Sequence, residues 1–245
     1  MAILQKSKSN IKKLAVLQSN YIPWKGYFDI IHDVDLFLFY DEVQYTKNDW
    51  RNRNRIYTQT GVQWLTVPVS ASLDDSIDQA VIVPNRWQMK HYQSLLTSYA
   101  KAPYFRYYQE FLEFVYLESK WETISAINQF LIKKISSDFL KISTRFDNSK
   151  NFASSGSGHQ KLLSLIQSTG AEVYVSGPAA KSYIHAEDYQ NAGIQLIWKD
   201  YSDYPEYRQL FQPFEHHVSI LDLLFNTGPD APYYIWGWRE DSIGR

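Results

Sequence analysis

Between Gln18 and Arg53 the chain concentrates Gln18, Asn20, Tyr21, Trp24, Asp41, Gln44, Trp50, Asn52 and Arg53, more polar and planar groups than a simple hairpin needs. Side-chain amides and carboxylates hydrogen-bond hydroxyls and amines. Indoles offer flat apolar faces with a polar edge, and guanidiniums grip phosphate or carboxylate with two parallel N–H groups. This combination reads as a small-molecule site. Arg51, Arg53 and Arg55 alternate with Asn52 and Asn54, so an extended backbone puts the three arginines on one face. The expectation is a phosphate or carboxylate at Arg53 above its neighbours; a solvated edge strand is the alternative.

Further along, Trp87, His91 and Leu95 follow one another at helical spacing. An imidazole with an ordinary pKa near 6.5 can take a proton from an amine or hydroxyl. His91 is therefore the expected general base, set against an aromatic-packed histidine. His159 follows the flexible Ser154–Gly158 stretch at a helix start and is a weaker candidate for the same role. Asp41, at the end of an apolar strand, can hold a hydroxyl or an amine, or simply shape a turn. Ser176-Gly177-Pro178 ends another strand, where backbone N–H groups can approach an anion. Asp222 sits alone in the apolar run Ile220–Phe225, and a buried acid needs a partner: an arginine, a tyrosine or substrate, with a structural N-cap-to-helix salt bridge favoured over a role in binding. His216-His217 lacks a third ligand at metal spacing, so no metal site is expected. No P-loop, G-x-G-x-x-G or G-x-S-x-G is present.

These residues need a frame. Leu14–Leu17, the loop 18–25, Gly26–His32 and Leu36–Tyr40 read as strand, loop, helix and strand. In such sheets ligands bind beyond the carboxyl ends of strands. Short strands are expected at 64–70 and 81–83. Helices are expected over 87–99, 104–119, 121–140 and 159–169, the last ended by Gly170. Strands at 171–176 and 194–199 follow, then a helix within 214–225. The expected architecture is α/β: a central, mostly parallel sheet with a Rossmann-like opening unit and a helical insertion near 87–140. Residues 1–12 read as a disordered tail and 13–245 as a single domain. Of 245 residues, 44% are hydrophobic and 16% aromatic (8 Trp, 19 Tyr, 13 Phe), enough for a large core. A net charge of -1 gives no pull toward nucleic acid, and 0 cysteines exclude disulfides and a thiol nucleophile. With no membrane-length apolar run and no signal peptide, a cytoplasmic protein without membrane insertion is expected.

The motif Gln18-x-x-Tyr21-x-Pro23-Trp24-x-Gly26-Tyr27-Phe28, with Asp41 and Trp50-x-Asn52-Arg53, resembles the WbqC-like proteins of bacterial surface-polysaccharide (O-antigen) gene clusters. Lys90-His91, Pro103-Tyr104-Phe105, Tyr174-Val-Ser176-Gly177 and Ser219-Ile-Leu-Asp222-Leu-Leu-Phe225-Asn226 extend the resemblance across roughly 14–228. The chain departs from the pattern at Ser19 and at His216-His217. The resemblance implies a pathway more firmly than a reaction. The expected reaction is direct N-acyl or aminoacyl transfer to a nucleotide-linked amino sugar, with His91 as base and Asp41 assisting. No cofactor is expected to bind tightly; the acyl donor would be CoA or a carrier-protein thioester, and a homodimer is conceivable. Nucleotidyl transfer, or sugar-nucleotide binding without catalysis, are the alternatives.

Overall fold

The computed structural model describes residues 12–72 and 74–239, so the expected tail lies outside the described residues except for Lys12. Five strands form one parallel sheet: β1 (Lys13–Leu17), β2 (Leu36–Phe39), β7 (Arg145–Asn148), β8 (Val173–Ser176) and β9 (Gln195–Trp198). Their spatial order is β7-β2-β1-β8-β9. β2, Leu-Phe-Leu-Phe, is buried throughout, as expected for a parallel strand covered on both faces. Its side chains divide by period two: Leu36 and Leu38 join one core, Phe37 and Phe39 the other. α1 (Lys25–His32) and α7 (Ile220–Thr227) pack on the Phe37/Phe39 side. α5 (Gly158–Thr169) and α6 (Ala186–Asn191) cover the other side, with Leu162, Ile166 and Tyr189 against Leu14 and Leu38. Gly170 ends α5 with φ 74°, the left-handed conformation a C-cap glycine supplies.

The chain leaves the sheet after β2 and returns only at β7. The intervening residues 40–144 hold a ribbon of β3 (Arg53–Thr58) and β4 (Gly61–Thr66), a small pair β5 (Val69–Ser70) and β6 (Val81–Ile82), and the helices α2 (Trp87–Tyr99), α3 (Gln109–Glu113) and α4 (Ile124–Lys134). The excursion therefore starts at the end of β2, earlier than the expected 87. The stretch read as one strand over 64–70 is two, parted at Pro68, which has no N–H for a ladder. The long helix expected over 104–119 is a 3₁₀ turn (Phe105–Tyr108), α3 and a π turn (Phe114–Glu118), and α4 likewise runs into a π turn (Ile135–Phe139). Within the described residues no helix is long and apolar enough to cross a membrane.

Candidate functional site

β1 and β8 pair only at Lys13–Val173 and Leu14–Tyr174, whereas β1–β2 and β8–β9 each pair over four residues. The sheet thus opens between β1 and β8 toward its carboxyl edge. These are the strands from which the chain order runs outward in opposite directions, the place where open α/β sheets hold ligands.

The loop that leaves β1 here is held in a strained shape. Ile22 has φ 36°, a left-handed conformation costly for a β-branched residue. Asn54, on the buried face of β3, donates from Nδ2 to the carbonyls of both Tyr21 and Ile22 at 3.0 Å. The Tyr21 N–H donates to the Trp50 carbonyl at 2.9 Å. Asp41 accepts from the Ser19 N–H at 2.7 Å, from Ser125 Oγ and from Gln129 Nε2. Asn128 Nδ2 donates to the Arg51 carbonyl at 2.8 Å. The next residues begin α1, where Trp24 folds its indole back over Gly26. A Cβ on Gly26 would overlap that ring.

Asn20, Pro23, Trp24, Trp50, Asn54, Arg55 and His217 enclose a cavity of about 180 Å³. Trp24 and Trp50 supply aromatic walls, and Trp50 is 41% exposed. Asn20 Oδ1 and Arg55 Nε are buried without a hydrogen-bond partner, an arrangement a native protein keeps where something else supplies the partner. The arginines do share one face of the extended segment, with Asn52 and Asn54 on the buried face. Arg51 pairs with Asp49 at 3.1 Å. Arg53 stacks on Trp64 at 4.3 Å, and Arg55 lies 5.8 Å from the Trp50 ring and 5.7 Å from Trp64. Among the described residues neither Arg53 nor Arg55 makes an ion pair. Arg55, not Arg53, lines the cavity.

The remaining wall comes from the irregular segment 199–219. Its start is anchored by a buried network: Asp29, fully buried on α1, receives Lys199 Nζ at 2.8 Å, both terminal nitrogens of Arg239 at 3.0 and 2.8 Å, and the Tyr204 hydroxyl. Tyr201 and Tyr204 meet Trp24 edge to face at 5.2 and 6.0 Å, and the His217 ring stacks on Trp24 at 5.9 Å. His217 Nδ1 lies 3.5 Å from Glu215 Oε1. Beneath this segment the Lys25 ammonium is buried over the Tyr204 and Tyr207 rings, and burial lowers its pKa to about 8.

Of the residues expected at the site, Asn20, Trp24 and Trp50 line the cavity, and the others stand apart from it. His91 is 5% exposed; its Nδ1 meets the Tyr21 hydroxyl at 2.8 Å, which in turn meets Tyr116 at 2.7 Å. Burial lowers its pKa to about 4. It reaches a different, open groove between β4 and α2, so the aromatic-packed alternative describes its setting and it does not line the cavity. Asp41, with its donors, holds the 18–20 loop and does not line the cavity. Asp222 has the expected tyrosine partners: Tyr99 and Tyr207 donate to it at 2.8 and 2.6 Å, and Gln209 at 2.8 Å. Those bonds and burial hold it in the core, outside the cavity. Tyr21 and Asn52 are buried in the supporting layer, Asn52 donating to the Val67 carbonyl. The Gln18 carbonyl accepts from Tyr27, and Gln44 bridges Ser76 on the ribbon side. Ser176 is buried at the end of β8, and Gly177 faces the Tyr201 hydroxyl, one ring removed from Trp24. His159 pairs with Asp188 at 2.9 Å.

Pro23, Asn54, Arg55 and His217 are the cavity residues not expected there from the sequence. Arg55 had a signal, the same alternation that marked Arg53. Asn54 was visible as an inward residue of that alternation. His217 had none, because it arrives from a segment without periodicity.

The fold and crevice define an α/β protein of Rossmann-like architecture with a cavity at its switch point. Residues 18–234 match the WbqC-like protein family. The uncharacterized protein Rv1507c of Mycobacterium tuberculosis is 44% identical over 232 residues, covering 94% of this chain and the whole of that protein. The chain belongs to the WbqC-like family. No solved structure matches it.

Proposed function

We propose that the protein is a transferase of surface-glycan biosynthesis that moves an acyl or aminoacyl group directly from a thioester donor to the amine of a nucleotide-linked sugar. The observation that carries this reading is the unpartnered Asn20 Oδ1 beside the uncompensated Arg55 guanidinium, between two indoles. A carboxamide oxygen accepts from an amine or hydroxyl, indole faces cover a sugar ring, and Arg55 takes a phosphate oxygen. At about 180 Å³ the cavity is below the ~300–1,000 Å³ usual for a whole small ligand. It fits one sugar ring, with the diphosphate extending over the arginine face of β3. The amine nitrogen attacks the thioester carbonyl; the C–N bond forms, the C–S bond breaks and the thiolate leaves. His217, the imidazole at the cavity, accepts the proton lost by nitrogen, with Glu215 orienting its Nδ1.

Thermal stabilisation by nucleotide-linked amino sugars, compared with their hydroxyl analogues, CoA and nucleoside triphosphates, tests the reading. A shift with the amino sugars that is lost in Arg55→Met supports it. A shift with triphosphates alone, with pyrophosphate release, favours nucleotidyl transfer, for which the placement of His217 over Trp24 supplies an imidazole that the 24–28 segment lacks.

A further inference from the structure

Two open depressions lie side by side along β4 and α2, of about 680 and 700 Å³, and share Gln63, Gln93 and Ser94. They form one groove, which shares no lining residue with the cavity at the switch point. Its lining is mixed. Amide and hydroxyl side chains recur along it, Gln59, Gln63, Gln93, Ser94 and Thr97, with Leu210 and Phe211 at one end and Met89 at the other. Arg86, Lys90 and Lys101 stand along its length, and no carboxylate lines it among the described residues. None of these three cations forms an ion pair among the described residues. One wall is the Trp64 indole, 42% exposed, with Arg53 stacked on it and the Trp50 ring 5.5 Å away.

Such a surface suits a particular occupant. Neutral amides and hydroxyls that both donate and accept match a ligand rich in hydroxyls, and an exposed indole offers a flat face for a sugar ring. Spaced cations without counter-ions call for sparse negative charge. A nucleic acid, with a charge on every residue, is usually met by a denser cationic face with several stacking rings. We propose that this groove binds an anionic oligosaccharide, several sugar residues long, carrying carboxylate groups. The groove is a second binding site, and its occupancy does not depend on the reaction assigned to the cavity.

The probe is a hyaluronan tetrasaccharide, with maltotetraose as the neutral control and a single-stranded oligonucleotide as the polyanion control, titrated against ¹⁵N-labelled full-length protein. The expected result is perturbation of the Gln63 and Gln93 side-chain amide signals by hyaluronan, with weaker binding of maltotetraose. Gln93→Glu, which places a carboxylate in the groove, should weaken hyaluronan binding by about tenfold or more through like-charge repulsion. It should leave the response of the switch-point cavity to nucleotide-linked sugars unchanged. Equal binding of the two tetrasaccharides, no binding of either, indifference to Gln93→Glu, or tighter binding of the oligonucleotide would each overturn the proposal. Cavity binding without groove binding refutes this site alone, and the converse refutes only the proposed function.

Discussion

The indole of Trp24 occupies the space in which a side chain on Gly26 would stand. The absence of a Cβ at the second residue of α1 is what lets a large ring lie flat on the helix start and form a cavity wall.

Gly26→Ala tests that relationship. The added methyl must push the ring aside, an overpacking cost of about 1–3 kcal/mol, and the displaced ring leaves the cavity. Urea unfolding should show the destabilisation, and quenching of tryptophan fluorescence by nucleotide-linked sugars should be lost.

Asn54→Ala should destabilise the protein by about 1–3 kcal/mol, because the Tyr21 and Ile22 carbonyls lose a buried donor where the backbone is strained. Amide hydrogen exchange should then quicken over 18–24 while α5 and β9 stay protected. Equal quickening everywhere would assign Asn54 to general stability instead.

The two arginines of β3 should separate in binding. Arg55→Met removes the cation at the cavity and should weaken nucleotide-linked sugar binding by about tenfold or more. Arg53→Met, which frees Trp64, should have the smaller effect, measured by calorimetry on both variants.

His91 and His217 should separate in stability and activity. Unfolded, His91 takes a proton near pH 6.5; folded, it stays neutral down to about pH 4. Between those values the unfolded chain holds more protons, so stability falls as pH falls, by on the order of 3 kcal/mol for this residue. Above pH 6.5 it contributes no slope. Urea midpoints at pH 7.5, 5.5 and 4.5 should show this component in the parent and not in His91→Gln. Transfer activity should survive in His91→Gln relative to folded protein and fail in His217→Ala.

The sheet was legible because its signals are local. Leu36–Phe39 is an unbroken apolar run, Gly170 caps α5, and the polar ends of β1 and β2 pointed to the carboxyl edge. Asn20, Trp24 and Trp50 were legible at the site for the same reason, since they lie in one crowded stretch. The roles of His91 and Asp41 were not. Whether a polar group faces a ligand or a buried partner depends on residues far along the chain: Tyr116 for His91, Ser125 and Gln129 for Asp41. That Trp64–Thr66 pairs with β3 and Val69–Ser70 with β6 was hidden for that reason too.

The excursion over 40–144 also bears on how the molecule is assembled in time. β2 and β7 are sheet neighbours, although the ribbon and helices over 40–144 stand between them in the chain. Loop closure over so long a span delays pairing, and non-local contacts slow folding. The cavity draws on residues 20–24, 50–55 and 217, so its last wall is available only once nearly the whole chain has been made. A chain lacking the 199–219 segment has no His217 to close the cavity.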